Sequence, residues 1–327
     1  MKAILCHDYG PPDSLTLGEL PDPEAGPGKA VIDIHAAGAN FVDALCIQGT
    51  YQIKPPLPFI PGMELAGVVR AVGEGVGNVA PGDRVACLAG IGGAFAEQIA
   101  VKADRLVKIP DNMDFDTGAG FSLTYCTSLY ALENRGHIAA GESLLVLGAA
   151  GGVGLAAVDL GKALGARVIA AASSEEKLAK CGEFGADALI NYDREDLKAR
   201  VKELTGGAGV DLVYDPVGGD YSETALRTMG WNGRFLVIGF ANGEIPRIPI
   251  NLTLLKGCEI VGVDWGQFGA RFPAETAPVL GRVMQLFEQG KINPCVTQRY
   301  SFEDAPRALN DLLARKVVGK AVIRIRD

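Results

Sequence analysis

The stretch GAAGGVG (148–154) places four glycines in seven positions, directly after the apolar run SLLVL. Glycines at that density let a chain turn tightly. They also let backbone N–H groups approach a pyrophosphate at the positive end of the helix that follows. Gly151 and Gly154 take the second and third glycine positions of a G-x-G-x-x-G fingerprint, and Ala149 stands in the first. Ala150, Gly151, Gly152 and Val153 are then the residues whose backbone would meet the phosphates. Taken alone, the stretch also fits a packing turn in an alanine-rich core. A second stretch, VIAAASSEEK (168–177), bears on which dinucleotide would bind. An NAD site places a carboxylate at the end of this strand to accept from the ribose hydroxyls. Ala172, Ser173 and Ser174 stand there instead. Ser173, Ser174 and Lys177, with Tyr192 after the next strand, offer the hydroxyls and cation that suit a 2′-phosphate, so NADPH is expected over NADH. Ser174 followed by Glu175 and Glu176 also reads as a helix cap, and both readings can hold together.

Other chemistries find little material. Three histidines, none in an H-x-x-x-H spacing, and seven cysteines without a C-x-x-C pair argue against a zinc lobe, a disulfide framework or a Ser–His–Asp triad. Cys46 and Cys126 have no histidine or basic neighbour in sequence to make a thiolate. A formal charge of −8 is the wrong sign for a nucleic-acid binder. No apolar run reaches the ~20 residues of a membrane helix. The N-terminal MKAILCHDYG lacks the apolar core and cleavage site of a secretory signal, so a soluble cytoplasmic protein is expected.

The elements that must position the loop follow two rhythms. From residue 1 to about 121, short strands such as KAVIDIHAAG and AGVVRAVG alternate with proline- and glycine-rich turns, as in a small antiparallel β domain. TYCTSLYALENRG (124–136) reads as a bridging helix. From Ser143 strands alternate with helices: SLLVLG, ARVIAAA, DALIN, VDLVYD, GRFLVIGF and CEIVGVD, with helices at Leu155–Leu164, Glu175–Phe184, Asp196–Leu204 and Tyr221–Met229. Runs of β-branched residues that do not alternate mark strands buried on both faces, as in a doubly wound parallel sheet. Strand, glycine loop, helix and strand in that order make the fingerprint credible. Helices near Ala274–Gln289 and Phe302–Ala314 and the strand GKAVIRI form a tail that returns to the first domain. The expected fold class is α/β, with domains 1–121 plus 264–327 and 122–263.

Together with the loop, NFVDALCIQGTY, PFIPGMELAGVVRAVGEGV, GDRV, LTYCTS and GKAVI resemble the zinc-free quinone oxidoreductase branch of the medium-chain dehydrogenase/reductase superfamily, almost end to end. The resemblance implies a GroES-like β domain made of both chain ends, with a Rossmann domain inserted. It further implies NADPH as cofactor, a small electrophilic acceptor as substrate and a homodimer or homotetramer. By resemblance, Asn40 and Tyr51 stand near the nicotinamide or the acceptor, and Thr127 holds the carboxamide. Gly239, Phe240, Val263 and Trp265, at the ends of the last two Rossmann strands, flank the ring. Each residue also has an ordinary reading: Asn40 as a turn cap, Tyr51 stacked in its loop, Trp265 and Phe240 as core.

Where zinc alcohol dehydrogenases carry Cys, His and Cys ligands, this chain has Asn40, Met63 and Ala119, and no metal is expected. Glu64 reads as a satisfied structural carboxylate. Related quinone reductases have a tyrosine and an arginine where Leu45 and Ile47 stand, which points to a smaller or less polar acceptor pocket. Without a Lewis acid, hydride donation to an electrophile is better supported than alcohol oxidation. The expected activity is reduction of quinones, enones or α,β-unsaturated acids or thioesters. The alternatives are an NADPH-binding regulator with little turnover and a residual alcohol dehydrogenase.

Overall fold

Proline and glycine breaks cut the N-terminal third into strands β1 (Lys2–Leu5), β2 (Thr16–Glu19), β3 (Lys29–Ala39), β4 (Glu64–Val72), β5 (Arg84–Leu88), β6 (Gln98–Lys102) and β7 (Leu106–Lys108). The structure is a computed structural model and describes residues 1–326. β3 pairs antiparallel with both β4 and β6, and β4 continues through β5 to β7. A short helix, α1 (Phe41–Ile47), follows β3, and α2 (Phe115–Leu129) runs on into a π-helical turn over Tyr130–Arg135.

The second rhythm gives six strands: β8 (Ser143–Val146), β9 (Arg167–Ala172), β10 (Ala188–Asn191), β11 (Val210–Asp215), β12 (Met229–Val237) and β13 (Glu259–Gly262). They alternate with α3 (Gly152–Ala163), α4 (Glu175–Glu183), α5 (Leu197–Leu204), α6 (Asp220–Arg227) and α7 (Asn251–Lys256). All pairings in this sheet are parallel and its order is β10-β9-β8-β11-β12-β13. The order reverses between β8 and β11, which places the loop after β8 at the switch point where doubly wound sheets bind ligands. α8 (Trp265–Arg271), α9 (Pro273–Glu288), β14 (Val296–Tyr300), α10 (Ala305–Leu313) and β15 (Lys320–Arg324) complete the chain. β15 pairs antiparallel with β3, and β14 adds to it in parallel. The fold is therefore the expected α/β class: a Rossmann sheet inserted into a GroES-like β domain.

Two compact units divide the chain: residues 1–123 with 294–327, and 124–293. The expected return at 264 is corrected to 294. The intervening helices stay with the parallel sheet for physical reasons: Trp265 and Phe268 ring-pack with Tyr130 at 5.7 and 4.5 Å, and Asn293 donates its N–H to the buried Asp159 at 2.8 Å. Each unit has its own apolar centre, with Ile32, Leu65 and Phe95 in the first and Leu145, Ile169 and Val213 in the second fully buried. At about 1.5–3 kcal/mol per buried side chain, such centres supply the main stabilisation of either unit.

Candidate active site

In the 124–293 unit the fingerprint loop leaves β8 through Gly148, whose φ of +55° a larger residue would strain to adopt. Ala149 is fully buried and donates its N–H to the Ala171 carbonyl at 3.0 Å, so its methyl is accommodated in the core. Gly151 is the N-cap of α3 and has no side-chain oxygen to satisfy the first turn. The N–H groups at the start of a helix lack intrahelical acceptors, and an anion placed there meets them and the positive end of the dipole. A Cβ on Gly151 would face only the Gly148 oxygen at 3.4 Å, which leaves this face of the backbone open. A Cβ on Gly154 would press on Ala149 Cα at 2.9 Å and closer still on the Gly148 oxygen. Gly154 thus sets how tightly helix and loop pack, while Gly151 sets access. Ala150 is buried, and Gly152 and Val153 are half-buried in the first turn of α3. α3 begins three residues before the expected Leu155, because the glycines themselves adopt helical geometry.

Ser128, on α2, braces this turn. Its hydroxyl hydrogen-bonds the Val153 carbonyl at 3.0 Å and the Tyr214 hydroxyl at 2.8 Å. The sequence reading passed over Ser128 for its neighbour Thr127, which is half-buried on the same helix.

At the end of β9, Ser174 caps α4 by accepting the Lys177 N–H at 3.3 Å, so the cap reading holds. The Lys177 ammonium also donates to the Ser173 hydroxyl at 3.3 Å, which gathers a cation and two hydroxyls beyond Ala172. The Tyr192 N–H donates to the Ala172 carbonyl at 3.2 Å, and its ring packs against Tyr221 at 4.6 Å. Glu175, the first carboxylate after the strand, accepts from the Asn191 amide at 2.7 Å. These side chains fit a phosphorylated ribose better than a bare one, since a cation and hydroxyls bind a phosphate that a carboxylate would repel.

At the ends of β12 and β13, Gly239 donates to the Asp215 carbonyl at 3.3 Å and Val263 to the Val237 carbonyl at 3.0 Å. Phe240 is partly exposed and lies against Gly218, where a Cβ would sit 3.0 Å from its ring. Trp265 requires a correction: it is the first residue of α8 rather than a strand end, capped there by Asp264, and it is buried against Tyr130 and Phe268.

In the other unit, Asn40 lies in a buried ion cluster. β15, β3 and β4 are neighbours, and their register brings Lys320, Asn40 and Glu64 to one end of the sheet. The Lys320 ammonium donates to Asn40 Oδ1 and Glu64 Oε1. Asn40 Nδ2 donates to Glu64 Oε1 at 3.1 Å and to the Gly38 carbonyl at 3.3 Å. Glu64 Oε2 accepts the Leu123 N–H at 2.8 Å, and Glu64 is fully buried. The expected structural carboxylate is therefore satisfied, by a lysine the sequence reading had not singled out. Its signal was available: a carboxylate in the apolar run MELAGVV needs a buried cation, and Lys320 opens an equally apolar strand.

Asn40 is also the N-cap of α1, and its own N–H donates to Asp43 Oδ2 at 2.8 Å. Asp43 Oδ1 is buried without a hydrogen-bond partner among the described residues. Burial pushes the Asp43 carboxyl up to about 7, against the lowering effects of the Asn40 N–H and the Lys320 charge. Met63 and Ala119 are buried apolar residues, so the positions aligned with zinc ligands offer no thiolate or imidazole. Tyr51 is half-buried and donates its N–H to the Leu45 carbonyl at 3.2 Å; Leu45 is half-buried and Ile47 lies in the core. Burial raises the Cys46 thiol to about 12, which leaves it no thiolate character at neutral pH.

Comparison with known proteins accords with this geometry. Residues 26–111 match the alcohol dehydrogenase GroES-like domain family, and residues 152–282 match the family described as zinc-binding dehydrogenase. The chain is 37% identical over 328 residues to the quinone oxidoreductase-like protein 2 homolog of Nematostella vectensis, covering all of this chain and 89% of the relative. It is 35% identical to a quinone oxidoreductase of Pseudomonas aeruginosa, covering 98% of this chain and 99% of the relative. The crystal structure of Escherichia coli quinone oxidoreductase complexed with NADPH superposes with a TM-score of 0.92 at 31% identity, over 99% of this chain and 100% of that one.

Proposed function

The chain belongs to the quinone oxidoreductase branch of the medium-chain dehydrogenase/reductase superfamily, and on that footing we propose that it is an NADPH-dependent reductase of quinones or carbonyl-conjugated alkenes that works without a metal ion. The observation that carries the reading is the end of β9, where Ser173, Ser174 and Lys177 gather hydroxyls and a cation in place of a carboxylate. Bound NADPH supplies a hydride. Gly151, Gly152 and Val153 present backbone N–H groups to its pyrophosphate, with Ala150 completing the loop, and Ser173, Lys177 and Tyr192 hold its 2′-phosphate. Thr127, Gly239, Phe240 and Val263 line the nicotinamide end in this reading. Trp265 supports them from its aromatic cluster rather than by touching the ring. The acceptor side falls to Asn40, Leu45 and Tyr51, and the half-buried Leu45 favours a smaller, less polar acceptor than a bulky quinone.

Zinc independence is supported by the donor set. An amide, a thioether and a methyl replace the ligands, and the Lys320 ammonium already holds Asn40 and Glu64. No helix is long and apolar enough to cross a membrane among the described residues. All seven cysteines are unpaired, five of them buried, which suits a reducing compartment such as the cytoplasm. Exposed Ile260 on the edge strand β13, together with exposed Trp231 on the adjoining β12 and Leu254 and Leu255 on the preceding α7, supports a homodimer. The decisive experiment follows NADPH oxidation with a panel of quinones, enones and enoyl thioesters, alongside metal analysis of the purified protein. Turnover with at least one class, kcat/KM favouring NADPH over NADH, and zinc far below one equivalent are the expected results. Tight NADPH binding without turnover on any acceptor would instead favour the regulatory reading.

A further inference from the structure

We propose that Lys320 is a positioning residue for the acceptor half of the site: its buried ammonium holds the Asn40 end of α1 and, through that helix, places Leu45 and Tyr51. The proposal rests on the reading above that puts these residues on the acceptor side. Lys320 donates and Glu64 accepts, so only one of the two orientations of the Asn40 amide satisfies both neighbours, with Oδ1 on Lys320 and Nδ2 on Glu64. The Gly38 carbonyl takes a further amide contact, and the Asn40 N–H is fixed by Asp43. The first residue before α1 is thus held at its side chain and its backbone. At the other end of the helix, the Leu45 carbonyl accepts the N–H groups of both Thr50 and Tyr51, at 3.0 and 3.2 Å, so the Tyr51 backbone moves with α1.

The surroundings are built to make room for this cluster. A Cβ on Gly38 would press on Glu64 Cγ at 2.6 Å, and one on Gly120 would press on Lys320 Cγ at 2.9 Å. Stability is a poor reason to keep such a pair, because an apolar pair of similar volume often serves as well or better. An apolar pair cannot orient an amide.

The test uses the full-length K320M/E64Q variant, which removes the cation without leaving an uncompensated buried charge, and E64L/K320M as a second, apolar replacement. Thermal midpoint, NADPH Kd, and kcat and KM for the best acceptor are measured on each and on the wild type. The expected result is an intact fold and an NADPH Kd within about twofold of wild type, with acceptor kcat/KM lowered about tenfold or more. Acceptor kcat/KM within about twofold of wild type in a folded variant overturns the proposal. Loss of folding in both variants assigns the cluster a purely structural role and overturns it equally. A wild type that turns over no acceptor shows a different failure, that of the underlying functional reading, and removes the proposal with it.

Discussion

Asp43 lies in a buried cluster that holds one ammonium and two carboxylates, and Glu64 already matches the Lys320 charge. The groups facing Asp43 are Asn40, Lys320, Glu64 and the thiol of Cys46. With its carboxyl pushed up to about 7 from an ordinary 3.8, the folded protein keeps a proton that the unfolded chain releases between those values. Stability tied to this group is therefore fully present below the unfolded value and declines as pH rises through the folded one. Asp43→Asn carries no charge at any pH and can still accept the Asn40 N–H. It should match the wild type near about pH 4 and become the more stable protein toward about pH 7, the gap widening by at most ~1.4 kcal/mol per pH unit. Thermal melts of both proteins across that range check this, and parallel curves would contradict it. Ser173 supports a prediction about the cofactor. Its hydroxyl accepts from Lys177, and a carboxylate there would pair with that cation and repel a 2′-phosphate. Ser173→Asp should lower kcat/KM with NADPH about tenfold or more, ~1.4 kcal/mol, while kcat/KM with NADH rises. Initial rates with the two cofactors decide the matter, and an unchanged NADPH preference would remove Ser173 from the phosphate site.

The strand–loop–helix unit of β8 and α3 shows why one glycine is tolerant of replacement and another is not. Ala149 already carries a buried methyl in the first fingerprint position, whereas a methyl on Gly154 would push helix and loop apart. Gly154→Ala should destabilise the protein by about 1–3 kcal/mol and weaken NADPH binding with it. Chemical denaturation and a fluorescence titration of NADPH read the two effects, and a variant with wild-type values would show that the loop can shift to admit the methyl. Much of this unit was legible in the sequence, because β-branched runs, glycine stops and the Ser174 cap are local signals. The six strands fall where those runs are, and the glycine-rich loop follows the first of them. What escaped reading was set by distant partners. α7 and α8 are short, and nothing in their spacing separates them from loop. Trp265 looked like a strand end until its packing on Tyr130 placed it in a helix. Lys320 lies 256 residues from Glu64 and 280 from Asn40, so neither periodicity nor a motif window could join them. Only the strand register brings the three together.

Edge strands must be managed by any sheet that leaves them open, since their unpaired N–H and C=O groups invite a partner. In the parallel sheet the two edges are β10 and β13. Around β13 four large apolar side chains are exposed, beside the exposed Glu259 of the strand itself: Trp231 is 73% exposed, Leu254 80%, Leu255 68% and Ile260 43%. These positions are linked rather than scattered. α7 carries both leucines, Gly257 follows it directly under the Trp231 ring, and β13 begins two residues later. A Cβ on Gly257 would come within 2.8 Å of that ring, so the tryptophan is held against the backbone with its outer face free for a partner. A linked apolar surface beside an open edge fits a second copy of this chain, which would bring an identical edge in the opposite direction and the same side chains to cover it. Leu254→Lys and Trp231→Glu each place a charge where two copies would meet and touch neither core. Both should shift the protein to monomer in light scattering after size exclusion, with a wild-type circular dichroism spectrum. Charging these positions alters nothing at Ser173 or at the β8–α3 loop, so NADPH affinity should stay within about twofold of wild type. A wild type that runs as a monomer at all concentrations would exclude the dimer, and variants that remain dimeric would move the self-association surface elsewhere on the molecule.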